Sequence, residues 1–254
     1  MIEKNKIPAA MAGQTPRLKV LKMNDKGATC IIQNVRLTFV YLDKPSKDPS
    51  GDLEKGKYSV TAIIPASHFQ AIKKEFTKLF ESILKISKTL PTNQQRLAAM
   101  KTALNDGNDY SFFKIGNESK NKEGKIYPGV ENAFTFQAKQ AAINTENGPR
   151  PKFDLALKSR KNDVIPPQDV RAEFYSGVWA DLAINVAPYE YMKKQSFTAY
   201  LNGVMKLADD ERLGASDPFS ARDDIADTSD NSAASYDFDE EDDEIEKPKK
   251  KGKK

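Results

Sequence analysis

Rings and cations recur together along this chain. Lys57 precedes Tyr58, Phe113 precedes Lys114, Lys125 stands two residues before Tyr127, and Phe134 and Phe136 lead to Lys139. Tyr189 and Tyr191 run into Lys193 and Lys194 in the same way. Flat rings give unpaired bases a surface to stack on, at about 1–3 kcal/mol per base, while ammonium and guanidinium groups neutralise the phosphates between them. This pairing suits single-stranded nucleic acid. Duplex binding needs no stacking platform, and no predicted helix carries the dense basic face that enters a major groove. The residues selected for stacking are Tyr58, Phe113, Tyr127, Phe136 and Trp179. Those selected for phosphate are Arg36, Lys57, Lys114, Lys125, Lys139, Arg150, Lys152, Lys158 and Arg160. A phenylalanine-rich β core would produce a similar pattern, and an ordinary solvated hairpin would account for the cations of 150–162 equally well.

Other chemistry is scarce. With His68 the one histidine and Cys30 the one cysteine, an internal disulfide is excluded and a structural zinc site has too few soft ligands. The carboxylates Asp106, Asp109, Asp163, Asp169, Glu173 and Asp181 form no D-x-D or E-x-K group on a predicted strand, so a two-metal nuclease is disfavoured. No phosphate-cradling glycine loop is present. The reading is non-catalytic, with no cofactor and no metal.

The 254 residues carry a net charge of +4 that conceals a division. Residues 216–246 hold a net −12, the terminal KPKKKGKK holds +6, and the first 215 residues hold +10. Like-charge blocks with few apolar residues cannot bury enough surface to offset chain entropy, which predicts a disordered acidic tail over 216–246 and a lysine-rich tip over 247–254. A tethered polyanion beside a basic body could compete with a second polyanion, or serve only to solubilise. No run approaches the length and apolarity of a membrane span, so no membrane partner is expected.

Those candidate residues must be positioned by what lies between 28 and 215, after a flexible N-terminal arm over 1–27. Alternating apolar residues predict strands at 29–40 and 57–64. After Pro65, Phe69, Ile72, Phe76, Leu79, Phe80, Ile83 and Ile86 form one helical stripe, with Ser67 and Gln70 as its capping box. Thr92 and Gln95 repeat the capping signal for a second helix, to about 105. Further strands are predicted at 110–115, 132–139, 152–157, 172–186 and 197–207, with Gly177 and Gly203 at bends. Seven strands with one inserted helical pair fit a mainly β, OB-like barrel.

The order of the segments VRLTFVYL, KYSVTAIIP, LNDGNDY, RPKFD, FYSGVWADLAINVAPY and LNGVMKLADDERLG, followed by DPF and an acidic tail, resembles the OB-fold single-stranded DNA-binding proteins of tailed phages over most of 29–219. The resemblance implies binding of single-stranded DNA without base preference, during phage replication, recombination and repair, in the cytoplasm of the infected host. It implies as partners a phage DNA polymerase, helicase or recombination protein, reached through the tail, and a homodimer is an open expectation. The acidic tail is also implied to occlude the groove when DNA is absent. Relatives end on acidic or aromatic residues, whereas this chain appends lysines. Its partner contacts are therefore expected inside the tail, at Tyr236, Asp237, Phe238, Asp239, Glu240, Glu241, Asp242, Asp243 and Glu244. Two rival readings remain: an acidic-tailed protein-interaction or assembly factor, and an RNA-binding barrel, since stacking and phosphate contacts do not separate the sugars.

Overall fold

The computed structural model describes residues 11–46, 56–105, 109–146 and 148–213. The acidic tail and lysine tip predicted beyond residue 215 lie outside them. Nine strands are present: β1 (Arg17–Asn24), β2 (Gly27–Ser46), β3 (Lys57–Pro65), β4 (Lys114–Ile115), β5 (Ala133–Thr145), β6 (Gly148–Pro151), β7 (Ala156–Lys158), β8 (Trp179–Tyr191) and β9 (Lys194–Ala208). Helices α1 (Ala66–Ile86) and α2 (Asn93–Leu104) lie between β3 and β4, and a single helical turn, α3 (Val170–Glu173), precedes β8.

Five strands close into a ring, β2 to β3 to β5 to β9 to β8 and back to β2. Within the ring the pairings are antiparallel except β5 with β9, where Ala138 lies beside Ala199 and Lys139 beside Tyr200; outside it, β7 also runs parallel to β9. This is the mainly β, OB-like barrel with an inserted helical pair that the sequence predicts. The period-2 pattern of β8 explains its inner face: Ala180, Leu182, Ile184 and Val186 are fully buried, continuing from Val178. The α1 stripe sends Phe69, Phe76 and Phe80 into a phenylalanine cluster inside the ring. Phe69 stacks on Phe134 at 3.5 Å, Phe80 stacks on Phe197 at 4.1 Å, and Phe112, Phe113 and Phe136 complete the cluster. The edge-on pairs of the cluster, such as Phe69 with Phe113 at 5.2 Å and Phe76 with Phe113 at 5.3 Å, add about 0.5–1.5 kcal/mol each beyond their buried area.

Several local expectations are corrected. Residues 17–24 are not part of a loose arm but a strand on β2, and the Leu18 N–H donates to the Glu75 carboxylate of α1 at 2.9 Å. The α1 capping box does not form: the helix starts at Ala66, Pro65 caps it without a side-chain bond, and the Ser67 hydroxyl lies 3.2 Å from His68 Nδ1. Ile86, at the end of the stripe, is exposed. The Thr92–Gln95 box forms completely. The predicted strand at 172–186 starts only at Trp179 because 170–173 are helical. The strands expected at 110–115 and 152–157 shrink to Lys114–Ile115 and to short pieces on either side of 152–155.

The segment following β9 folds back and locks two residues expected on the DNA surface. Arg36 pairs with Asp210 at 3.1 Å and donates to the Gly177 and Glu211 carbonyls, while Trp179 Nε1 donates to Asp210 at 2.9 Å. Tyr175 donates to Asp209, and Lys206 bridges Asp209 and Glu173, each at 2.7 Å. Gly177 is required here, since its φ is +117° and a Cβ would collide with the Glu211 carbonyl. Arg36 and Trp179 are therefore buried latch residues. Replacing Asp210 strands a buried guanidinium and an indole N–H. Asp210→Ala should cost about 3 kcal/mol, lowering the thermal midpoint by about 6–12 °C, whereas Asp210→Asn, which keeps an acceptor, should lose less; scanning calorimetry reads both.

Candidate nucleic-acid interface

Successive residues of a strand point to opposite faces, so inward Tyr58, Phe136 and Ala138 force Lys57, Gln137 and Lys139 outward. The register of β3 on β5 sets Lys57 opposite Ala141 and Ser59 opposite Lys139, which makes Lys57 and Lys139 diagonal neighbours on one face. β4 adds Lys114 opposite Thr135. Ring closure then brings Tyr200 of β9 alongside Lys139. The β8–β9 hairpin contributes Tyr189 and Tyr191, and Tyr110 comes from the turn before β4. These residues line a trough of ≈ 610 Å³.

Burial, and then the ammonium groups of Lys57 and Lys114, hold the Lys139 ammonium below the usual lysine range. Burial lowers Lys114 as well, against the opposing pull of Asp109 and Glu118. Like charges held together partly out of water repel one another, and an anion laid across them would relieve that repulsion. Tyr191 and Tyr200 are about half exposed, at 55% and 46%, so their ring faces are open to a ligand. Lys194 sits over the Tyr110 ring, 4.1 Å from its centre. Burial and the nearby Tyr110 raise the Tyr189 phenol, while a hydrogen bond with Ser196 lowers it. Two carboxylates line this trough: Glu190, held by Gln95 of α2 at 2.8 Å, and Asp109, whose charge acts on Lys114. The hairpin turns on Met192 and Lys193, both with positive φ (47° and 63°), although neither is a glycine or asparagine. Strain of this kind is characteristic of functional loops.

The residues selected from sequence are distributed as follows. Lys57, Lys114 and Lys139 converge on the trough. Phe113 and Phe136 are fully buried in the phenylalanine cluster, and Tyr58 is buried with its hydroxyl donating to the Pro149 carbonyl at 2.8 Å, so none offers a face to a base. Lys125 and Tyr127 line a second cleft with Phe39. Arg150 lines a third, with exposed Phe153, and Lys152 lies over the Phe153 ring at 5.6 Å. Lys158 donates to Asn162 at 2.8 Å, and Arg160 is exposed in the adjoining turn. Tyr110 and Tyr200 lie outside the residues singled out by sequence, and Tyr189, Tyr191 and Lys194 belong to a ring-and-cation run that the sequence shows without marking it as the site. The alternation of Ala199, Tyr200 and Leu201 does mark Tyr200 as outward, but its neighbour Lys139 comes from a parallel pairing that spacing does not encode. Among the described residues no group of three or more metal-ligating side chains is present, and no helix is long and apolar enough to cross a membrane.

A family model built on the ssDNA-binding protein of Enterobacter phage Enc34 matches residues 28–238. The chain belongs to that family. The family's single-stranded DNA-binding protein from bacteriophage Enc34, solved in complex with ssDNA, is similar in structure, with a TM-score of 0.51 and 22% identity over 78% of this chain and 99% of that one. A C-terminal truncation of the Enc34 protein gives 0.49 and 22%, over 77% and 98%. Gp2.5, a single-stranded DNA-binding protein encoded by bacteriophage T7, gives 0.40 and 16%, over 87% and 100%. No curated protein matches the chain. The Enc34 complex bears on the fold, which the two chains share.

Because the Lys139 ammonium is disfavoured in the folded state, the free protein gains stability as pH rises through its lowered native pKa towards the ordinary lysine value. Lys139→Met removes the repulsion at every pH. It should raise the thermal midpoint and flatten the rise of stability with pH below the ordinary lysine value. Lys122→Met, at an exposed position, should leave both unchanged.

Proposed function

We propose that the chain binds single-stranded DNA without base preference, with phosphates seated on Lys57, Lys114 and Lys139 and bases stacked on Tyr191 and Tyr200. The observation that carries this reading is the set of three lysines crowded on one strand face beside open tyrosine rings. A polyanion relieves their repulsion, and any base offers a π-face to the rings. The location is that by which OB barrels bind oligonucleotides, across the second and third ring strands and the loop between the last two. The strained Met192–Lys193 turn and Lys194 sit at that loop. The binding is non-catalytic.

The membership of residues 28–238 in the Enc34 family supports the same reading and a place in phage DNA replication, recombination and repair, in the cytoplasm of the infected host. The net −12 of residues 216–246 would compete with DNA for these cations. Tyr236 and Phe238, set among Asp237, Asp239, Glu240, Glu241, Asp242, Asp243 and Glu244, would recruit a phage polymerase, helicase or recombination protein.

Titration of a labelled oligothymidine by fluorescence anisotropy at several salt concentrations tests the reading. The logarithm of the binding constant should fall against log salt with a slope of roughly −0.7 for each neutralised phosphate. Lys139→Glu should weaken binding at least tenfold and make the slope shallower, and Tyr200→Ala should weaken it by about 1–3 kcal/mol with the slope unchanged. Deleting residues 216–254 should tighten binding at low salt. If Lys139→Glu binds with the parent's affinity and slope, the trough is not the site.

A further inference from the structure

A second aromatic cleft lies on the same outer face. Phe39, in β2, has φ of +48°, which costs an ordinary L-residue about 1–2 kcal/mol and is an outlier for a bulky ring. It sits where the β2–β3 register slips between Thr38 and Tyr41. There it meets Tyr127 edge-on, with ring centres 4.8 Å apart at 86°. Tyr127 is supported by a built arm. Its N–H donates to the Ser119 carbonyl at 3.0 Å, Asn121 pairs with the Lys125 carbonyl at 2.8 Å, and Asn121 Oδ1 accepts the N–H groups of Glu123 and Lys125. Pro128 and Leu213 complete a cleft of ≈ 390 Å³, within the usual range for small-ligand pockets. At its rim the Lys125 ammonium is 77% exposed, with only a surface pairing to Glu123 at 2.9 Å.

The two clefts are linked by strand register. Gln137 in the trough wall lies opposite Thr61, and Thr61 lies opposite Thr38 in the wall of the second cleft. Two interstrand steps span about 10 Å. A strand leaving the lysine trough across β3 therefore arrives at the cleft beside the Phe39–Tyr127 pair.

We infer that the Phe39–Tyr127 cleft is a second base-stacking subsite for the same single strand, with Lys125 taking the phosphate beside it. This rests on the trough as the primary DNA site. The backbone strain at Phe39 is what brings its ring out beside Tyr127. The occupant is one nucleotide of unpaired DNA, held by stacking and so indifferent to which base it carries.

Binding of a four-nucleotide and a sixteen-nucleotide oligothymidine, each to the full chain, distinguishes the two sites. Tyr127→Ala should weaken the long oligonucleotide by about 5- to 150-fold, the loss of one stacked base, and leave the short one, seated in the trough, unchanged. Tyr127→Phe should bind both as the parent does, because the ring remains. Iodouracil-substituted long oligonucleotides should crosslink at Tyr127 as well as at trough tyrosines. The subsite is overturned if Tyr127→Ala binds the long strand as tightly as the parent, or loses both lengths equally. The trough fails separately, if Lys139→Glu leaves both lengths unaffected.

Discussion

Three ammonium groups gathered on one sheet face, two of them partly withdrawn from water, form the constraint to which the rest of this domain answers. Lys57, Lys114 and Lys139 come from segments far apart in the chain, and only the packing of β3 and β4 on either side of β5 brings them together. The phenylalanine cluster beneath them supplies the apolar burial that keeps this arrangement rigid. Phe136 and Ala138 point inward into that burial, which obliges Lys139 to point out, where burial and its neighbours lower its pKa.

The architecture was largely legible in the sequence because it depends on local alternation and composition. The inner face of β8, the α1 stripe and the α2 capping box all follow from spacing that a reader can see. The site was less legible, for a reason that is also spacing. Aromatic and basic residues adjacent in sequence, such as Lys57 and Tyr58 or Phe113 and Lys114, suggest a shared surface, yet neighbours along a strand face opposite ways. The same parity separates Phe136 from Lys139. The rings that do accompany these lysines, Tyr110, Tyr189, Tyr191 and Tyr200, arrive from other elements, through a turn, a hairpin and one parallel pairing. Arg36 and Trp179 were misread differently. They do lie on the outer face, but residues 209–213 fold over them, and nothing in the alternation of β2 or β8 announces that cover.

The latch and the bulges show how polar groups within a mainly apolar ring are satisfied. Asp181, mid-strand in β8 and buried, accepts the N–H of Asn34, where β2 kinks out of register. Burial raises its pKa, while that hydrogen bond and one from Gln33 draw it down. Gly203 lets β7 pass close to β9, where a Cβ would come within 2.7 Å of the Ala156 carbonyl. Each irregularity has a partner supplied from elsewhere in the chain.

The seam between β5 and β9 closes the ring with two residue pairs, Ala138 with Ala199 and Lys139 with Tyr200, whereas β8 and β9 run together from Trp179 to Tyr191. The buried Gln140 amide braces this junction by donating to the Leu201 carbonyl at 2.8 Å. The pair that closes the ring, Lys139 beside Tyr200, is therefore also a pair that lines the trough. A strand laid across that pair would tie two segments distant in sequence to one another, so occupancy of the trough would reinforce the closure of the ring itself.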